Sequence, residues 1–141
     1  PIPLTDLRMT RFWISLNEAV DFVIGSLEIM QGGELYVPRI PSMKLLDLAS
    51  AIAPDSEIFE IGLRPGEKLH EEMISADDSN RTIVLSDKRL VILPVIAEWG
   101  FVAPTGKPLP ENTPYRSDTN SNWIQKDTIV EFIREHAREL R

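Results

Sequence analysis

The sequence predicts a small domain of the mixed α/β (α+β) class, because segments with helical periodicity alternate with short strand-like segments. Between residues 16 and 30, apolar side chains recur at the spacing of one helix face. Two β-branched runs, 81–85 and 89–93, are separated by a polar tripeptide, which indicates a β-hairpin. The chain has 141 residues, 43% of them hydrophobic, which suffices for one core, so we predict a single domain over residues 1–141.

Local signals define the remaining elements. Ser15 and Glu18 form a capping box at the start of the first helix, and Gly32 and Gly33 follow its last apolar position. Residues 94–122 are rich in Pro, Gly, Asn and Ser, which predicts a long loop within the domain. In chain order we predict a helix over 16–30, a strand over 34–37, a helix over 43–53 with Ser42 as its N-cap, a strand over 58–61, a helix over 67–74, a solvated turn over 77–80, the hairpin, the loop and a helix over 126–138.

Composition argues against several classes of function. The net charge of -7 and the pI of about 4.8 disfavour a surface for nucleic acid or anionic membranes. The absence of cysteine excludes disulfides, thiolate catalysis and Cys-based zinc sites. No run approaches the roughly 20 apolar residues of a membrane span, and the first residues lack a signal-peptide pattern. A cytoplasmic protein is therefore expected, and the start without Met suggests a fragment.

The segment 64–68 (RPGEK) carries the strongest chemical signal. A predicted strand delivers Arg64 to a tight turn, and a helix starting at Glu67 would place free N–H groups and the positive end of its dipole beside the guanidinium. That combination suits phosphate oxygens, and Glu67 could accept hydrogen bonds from both hydroxyls of a ribose. Spacing alone leaves an alternative open, in which this is an ordinary helix start with Arg64 in a surface ion pair.

A second signal is a pair of arginines, Arg8 and Arg11, next to the aromatic residues Phe12 and Trp13. Arginine is well suited to bidentate phosphate recognition. Two arginines so close together are a local exception in an acidic chain. The alternative is that the aromatic side chains fill the core while both arginines are solvated.

We find no candidate catalytic, cofactor-binding or metal-binding residues in the sequence. His70 and Glu71 suggest a metal site, but the second histidine of a His-Glu-x-x-His motif is replaced by Ile74. Neither Tyr36 nor Tyr115 has a lysine four residues later, and there is no Gly-x-Gly-x-x-Gly loop. The sequence therefore predicts groups for binding without a centre for catalysis.

Taken together, these segments resemble the carboxyl-terminal third of the extended short-chain dehydrogenases/reductases that modify nucleotide sugars. The resemblance is strongest to the inverting UDP-N-acetylglucosamine 4,6-dehydratases of bacterial polysaccharide biosynthesis, and it extends from Pro3 to about Ile133. The matching segments are 5–14 (TDLRMTRFWI), 32–44 (GGELYVPRIPSMK), 62–74 (GLRPGEKLHEEMI) and, more weakly, 115–123 (YRSDTNSNW).

The resemblance implies roles for individual residues. Arg64 would contact the substrate pyrophosphate, Glu67 would hold the uridine ribose, and Arg11 would face the phosphates from the other side. Pro3 and Thr5 would line the uracil pocket through backbone groups. The resemblance also implies that the chain is the small substrate-binding domain of a Rossmann-type enzyme whose Rossmann half is absent. The strand over 34–37 would then be an exposed sheet edge that pairs with another copy or frays.

The family reaction uses NADP, which implies that the missing half binds the cofactor and that this chain binds none and is catalytically inactive. The expected partners are a UDP-sugar, the missing amino-terminal Rossmann domain and a second copy of the chain, which would bind through apolar surface that the Rossmann half normally covers. Nucleic acid and membranes are not expected partners. Two alternatives stay open: the carboxyl-terminal part of a nucleotide-sugar epimerase, and a non-catalytic interaction domain with the same fold.

Overall fold

The computed structural model describes residues 1–96 and 100–136, and within them four helices alternate with ten short strands. The predicted mixed α/β class is therefore confirmed. In chain order the elements are β1 (Ile2–Leu4), β2 (Thr10–Phe12), α1 (Leu16–Leu27), β3 (Leu35–Pro38), β4 (Ser42–Lys44), α2 (Leu45–Ile52), β5 (Ile58–Glu60), β6 (Glu72–Ile74), α3 (Ala76–Ser79), β7 (Thr82–Ser86), β8 (Arg89–Ile92), β9 (Lys107–Pro108), β10 (Tyr115–Arg116) and α4 (Lys126–His136).

The described residues form two compact units, and the first contains Pro1–Trp13, Pro41–Glu71 and the described residues from Ser117 onward. In this unit β1 pairs in parallel with β5, and β2 pairs antiparallel with β4. Helix α2 packs against α4. The ring of Trp13 meets that of Phe132 edge-on, with the centroids 5.0 Å apart. Because β1 and β5 run side by side in the same direction, the loops that follow these two strands begin next to each other.

The second unit contains Ile14–Ile40 and Glu72–Arg116. Its main element is an antiparallel sheet with the strand order β3-β8-β7-β9, and β10 pairs separately with β6. Strand β3 ends this sheet, which confirms the expected edge position, while its pairing with another copy stays a prediction. The buried apolar cluster of the unit consists of Val37, Ile74, Leu90 and Ile92.

The elements that depend on contacts between residues close in sequence, namely the capping box and the hairpin, were predicted correctly. The Ser15 side chain accepts the N–H of Glu18, and the Glu18 carboxylate accepts the N–H of Ser15, so the capping box is present. The two runs of the predicted hairpin form β7 and β8. Helix α1 ends at Leu27, one turn earlier than predicted, and beyond it the Ile29 N–H donates to the carbonyl of Ser26, three residues back, as in a turn.

The helix predicted over residues 67–74 is wrong. Gly66 has a φ of 82° and lies in a turn, and residues 67–71 after it belong to neither a helix nor a strand. The carbonyl of Leu69 accepts the N–H of Thr10 at 3.2 Å, from a different segment. Glu72–Ile74 then forms β6, which pairs with β10. Hydrogen bonds to distant segments therefore replace the local ones that a helix would need.

Ser42 is not the N-cap of α2, which corrects a second prediction. It lies fully buried in β4, its N–H donates to the carbonyl of Asn122 at 2.9 Å, and Asn120 donates to its side chain. Lys44 occupies the N-cap position without a side-chain hydrogen bond. The serine is thus used to join β4 to the chain segment before α4.

The polar residues after β6 are also more ordered than predicted. They form the short helix α3, in which the Ser75 side chain accepts the N–H of Asp78 as an N-cap. The predicted loop over 94–122 includes β9 and β10. Residues 97–99 of that loop and residues 137–138 of the predicted last helix lie outside the described residues.

Candidate functional site

The structure brings Thr5 and Glu67 together at a turn that follows β5. The Glu67 N–H donates to the carbonyl of Arg64 at 3.0 Å, and the Arg64 N–H donates to Glu67 Oε2 at 3.2 Å. From the end of β1, the Thr5 hydroxyl donates to Glu67 Oε1 at 3.1 Å. Thr5 is buried while Glu67 is half-buried. The carboxylate is therefore held at both oxygens, and it has one side open to solvent.

Arg64 presents its side chain to solvent at this turn. Residues 61–66 are all exposed and belong to neither a helix nor a strand. Gly62 and Gly66 have φ values of 88° and 82°, which L side chains rarely adopt, so the backbone here depends on glycine. Within residues 1–96 and 100–136, the guanidinium of Arg64 forms no hydrogen bond or ion pair. Its donors are free to bind an anion.

Arg11 is held by the chain segment that follows the turn. Its Nη1 donates to the carbonyls of Thr10 at 2.7 Å and Leu69 at 3.2 Å, and its Nη2 donates to the carbonyl of Lys68 at 3.0 Å. Its Nε lies 3.5 Å from Glu71 Oε1. The guanidinium therefore anchors residues 68–71 to β2. The phosphate contact expected of Arg11 stays a prediction, and the structure adds this anchoring role.

Pro3 lies in β1 opposite Phe59 of β5 and is exposed. The two strands are joined by the Ile2 N–H, which donates to the carbonyl of Glu57, and continue where the Ile61 N–H donates to the carbonyl of Leu4 at 2.8 Å. These bonds place the end of β1 beside the start of the turn. The role of Pro3 in a base pocket stays a prediction.

The sequence analysis missed Asp6, which organises the loop between β1 and β2. Its carboxylate accepts the backbone N–H of Arg8 at 2.8 Å and the Arg8 guanidinium at 3.0 and 2.6 Å. These hydrogen bonds, together with the positive charge of Arg8, lower the pKa of Asp6 from 3.8 to about 2. The Asp-x-Arg spacing is the signal that could have identified this turn, because an aspartate often accepts the N–H two residues on. Arg8 is thus paired within its own loop.

The sequence profile of the family described as polysaccharide biosynthesis protein matches residues 1–92 of the chain. This span includes β1, β2, β5 and the turn that carries Arg64 and Glu67. The chain belongs to this family.

Comparison with individual proteins extends the match over nearly the whole chain. The inverting UDP-N-acetylglucosamine 4,6-dehydratase of Campylobacter jejuni is 42% identical over 140 residues, which cover 94% of this chain and 42% of that protein. A UDP-glucose 4-epimerase of Rickettsia canadensis is 31% identical over 90 residues, which cover 61% of this chain and 26% of the epimerase. These matches confirm the resemblance to nucleotide-sugar dehydratases that the sequence motifs predicted.

A solved structure of the Pen protein from Bacillus thuringiensis has the same fold over the matched part, with a TM-score of 0.78 and 30% identity. The alignment covers 96% of this chain and 41% of Pen. The chain therefore spans less than half the length of each of these relatives. Among the described residues, no helix is both long enough and apolar enough to cross a membrane.

Proposed function

We propose that the chain binds the nucleotide part of a UDP-sugar for an NADP-dependent 4,6-dehydratase of the UDP-N-acetylglucosamine type. The observation that carries the proposal is the turn at Arg64 and Glu67, where an exposed guanidinium without a partner among the described residues adjoins a fixed carboxylate. A diphosphate requires cationic donors and a ribose requires acceptors for its hydroxyls, and this turn offers both within four residues. The 42% identity to a dehydratase over 94% of the chain supports this choice of reaction.

In this proposal Arg64 donates to the diphosphate and Glu67 accepts from the ribose hydroxyls. A carboxylate has about four lone-pair sites, of which the Thr5 hydroxyl and the Arg64 N–H use one each. The remaining sites are available to a vicinal diol. Thr5 orients the carboxylate, and the exposed Pro3 lines the pocket of the uracil base. Arg11 adds positive charge while it anchors the stem of the turn.

The residues of this chain do not fit the cofactor itself. The sequence has no Gly-x-Gly-x-x-Gly loop to hold the pyrophosphate of NADP, and neither Tyr36 nor Tyr115 precedes a lysine by four residues. We therefore assign no hydride-transfer or proton-transfer step to it. The relatives are more than twice as long as the part that matches this chain. We propose that the additional part binds NADP and performs the chemistry in the cytoplasm. This chain alone binds substrate without turnover.

Helix α1 indicates where such a partner would bind. Five large apolar side chains on one side of this helix are between 47% and 79% exposed. A stripe of this size is unfavourable in water, so a partner that covers it gains free energy. We propose that the cofactor-binding half covers the stripe in the longer protein and that the chain by itself dimerises through it. The residues of the stripe are Leu16, Val20, Val23, Ile24 and Leu27.

Sedimentation equilibrium tests the partner proposal with the 141-residue chain and its Val20→Glu and Val23→Glu variants. We expect the parent chain to dimerise and either charged variant to be monomeric, because a carboxylate in the stripe would be desolvated on association. Asp21→Glu, on the polar side of the same helix, is the matched control and should not change the association. A monomeric parent chain would contradict the self-association.

Calorimetric titration of UDP, UDP-N-acetylglucosamine and dTDP into the chain tests the proposed site. We expect UDP to bind and Arg64→Ala to weaken its binding by about tenfold or more, since a hydrogen bond to a charged group contributes about 1.5–3 kcal/mol. Arg134→Ala, an exposed arginine of α4, is the matched control and should bind UDP like the parent chain. Equal binding of UDP by the parent and Arg64→Ala would exclude the assigned diphosphate site.

The epimerase remains a second candidate because a UDP-glucose 4-epimerase is 31% identical over 61% of the chain. Both reactions use a UDP-sugar, so titration of the nucleotide does not separate them. The full-length protein supplied with NADP and UDP-N-acetylglucosamine does, since a dehydratase forms a 4-keto-6-deoxy sugar and an epimerase forms only the inverted hexose. Failure of that protein to bind or convert any UDP-sugar would favour the non-catalytic interaction domain.

A further inference from the structure

A row of hydrogen-bonded polar groups, of which Thr10 and Ser117 are buried, holds the segment that leaves the Arg64–Glu67 turn. Thr10 Oγ1 lies 2.8 Å from His70 Nδ1 and 2.7 Å from Ser117 Oγ. Thr10 is 5% exposed and Ser117 is fully buried. Ser117 Oγ also accepts the N–H of Glu71 at 2.9 Å. On the far side of the imidazole, Nε2 lies 3.9 Å from Asp118 Oδ2.

One assignment of protons uses the shortest contacts and each donor once. The Ser117 hydroxyl donates to Thr10 Oγ1, and the Thr10 hydroxyl donates to His70 Nδ1. Nδ1 is then the acceptor, and Nε2 on the other side of the ring faces Asp118. With an apolar side chain at position 70, the Thr10 hydroxyl would donate to Ser117 Oγ instead, and the Ser117 hydroxyl would donate to the Thr10 carbonyl at 3.3 Å. The two hydroxyls would then bond only to each other's residue, and the hydrogen bond that joins β2 to His70 would be lost.

These contacts lie where the turn needs support. Residues 61–66 are exposed and have no regular secondary structure, so their position depends on how the two ends of the turn are held. At the first end, the Ile61 N–H donates to the carbonyl of Leu4 at 2.8 Å. At the second end, residues 68–71 are bound to β2 by the Arg11 guanidinium and by the His70 imidazole. His70 is only three residues from Glu67.

We propose that His70 is a positioning residue for nucleotide binding. Through Thr10 and Ser117 it holds the stem 68–71 against β2, so that Glu67 and Arg64 face one ligand together. This inference rests on the proposed UDP site. Because both ligand-binding residues lie on the same turn, a loose stem weakens the binding of ribose and diphosphate alike. Loss of the Arg64 side chain, in contrast, weakens only the binding of diphosphate.

Titration of UDP and of uridine into the His70→Leu and His70→Asn variants of the chain tests the inference. We expect His70→Leu to weaken both ligands by the same factor, about five- to tenfold, as one hydrogen bond of the support is lost. His70→Asn should restore both affinities to within about twofold, because its side-chain amide can occupy the place of Nδ1 and bond to Thr10. Gln125→Leu, a polar-to-apolar change at an exposed position of the same unit, is the control and should leave both affinities unchanged.

Backbone hydrogen exchange provides a second readout that needs no ligand. We expect the amides of Thr10, Glu67 and Glu71 to exchange at least about tenfold faster in His70→Leu, because their acceptors lie in the turn or its support. The Val91 amide in the β7–β8 hairpin should exchange as in the parent chain. If His70→Leu does not fold, the comparison of His70→Asn with a Thr10→Val variant measures the same contact.

The outcomes separate the inference from the function on which it rests. If the parent chain binds neither UDP nor uridine, the proposed function fails, and the exchange rates alone decide whether His70 holds the turn. If the parent chain binds and His70→Leu changes neither the affinities nor the exchange rates, the positioning role of His70 is refuted. A loss of UDP binding with uridine binding unchanged would also refute it, because that pattern indicates a direct phosphate contact.

Discussion

Replacing Arg11 by lysine separates an anchoring role from a direct contact with phosphate. Lysine keeps the positive charge but has a single ammonium group in place of the planar fork of the guanidinium. The fork reaches the carbonyls of Lys68 and Leu69 at 3.0 and 3.2 Å at the same time, besides that of Thr10 at 2.7 Å. An ammonium group at one position cannot retain all three contacts. The Arg11→Lys variant therefore loses part of the stem while the charge of the site is preserved.

The expected magnitude follows from these contacts. Loss of one or two hydrogen bonds at about 0.5–1.5 kcal/mol each lowers the free energy of unfolding by roughly 1–2 kcal/mol. The Arg11 side chain is 22% exposed, so solvent compensates for part of the loss and the lower end of this range is expected. The same loosening of the stem should weaken UDP and uridine binding by a common factor of about three to ten.

Urea denaturation followed by Trp fluorescence, together with titration of both ligands, measures these effects. Arg134→Lys in α4 is the matched control, since this arginine is exposed, and neither stability nor binding should change. Weaker UDP binding with unchanged uridine binding and unchanged stability would refute the anchoring argument and leave Arg11 as a phosphate ligand. No change in any of the three quantities would refute the anchoring role.

Three further predictions concern stability. The pKa of Asp6 is lowered from 3.8 to about 2 in the folded state, so the free energy of unfolding should fall as the pH drops from 4 towards 2 and the carboxylate is protonated. In Asp6→Asn, the urea midpoint should depend less steeply on pH over this range. An unchanged dependence would contradict the assignment. Tyr115→Phe removes a hydroxyl that accepts the N–H of Ile40 and donates to its carbonyl. The free energy of unfolding, measured by urea denaturation, should therefore fall by about 1–2 kcal/mol. A loss no larger than that of the exposed control Thr119→Val would refute the contact. Ser15→Ala removes the N-cap of α1 and should lower the free energy of unfolding by about 1 kcal/mol. Because Ser15 and Glu18 bond to each other, the double variant Ser15→Ala/Glu18→Ala should lose less than the sum of the two single losses. Strictly additive losses would contradict the pairing.

Local signals in the sequence predicted a large part of the fold. The capping box at Ser15 and the hairpin of β7 and β8 involve residues that are close in the chain, so the interaction partners are visible in the sequence itself. The helix predicted over 67–74 was wrong for the complementary reason. Its apolar positions fit a helix, but β6 pairs with β10, some forty residues away, and no local pattern indicates that partner.

The candidate site divides in the same way. The residue pattern pointed to Arg64 and Glu67 at one turn and, separately, to Arg8 and Arg11, since arginine and carboxylate groups suit phosphate and ribose. Thr5 and Pro3, and the grouping of Arg11 with Arg64, were implied by the family resemblance. The contacts among them were not predictable. The Thr5 hydroxyl reaches Glu67 across 62 positions of sequence, and Arg11 reaches Lys68 across 57. The sequence therefore indicated the chemistry of the site, while its internal order depended on how β1, β2 and β5 meet.

By itself the sequence determined the mixed α/β class and the resemblance to the family, and it supplied the residues that we propose for binding an anion and a diol. Those properties depend on residue type, periodicity and short spacing, which are all present before the chain folds. Only the tertiary structure decided that Arg11 anchors the stem, that Asp6 closes the β1–β2 loop, and that Thr10 meets Ser117 across 107 positions of sequence. Buried hydroxyls must find partners inside the protein, and which partners lie within hydrogen-bonding distance is decided by the packing of segments that are far apart in the chain.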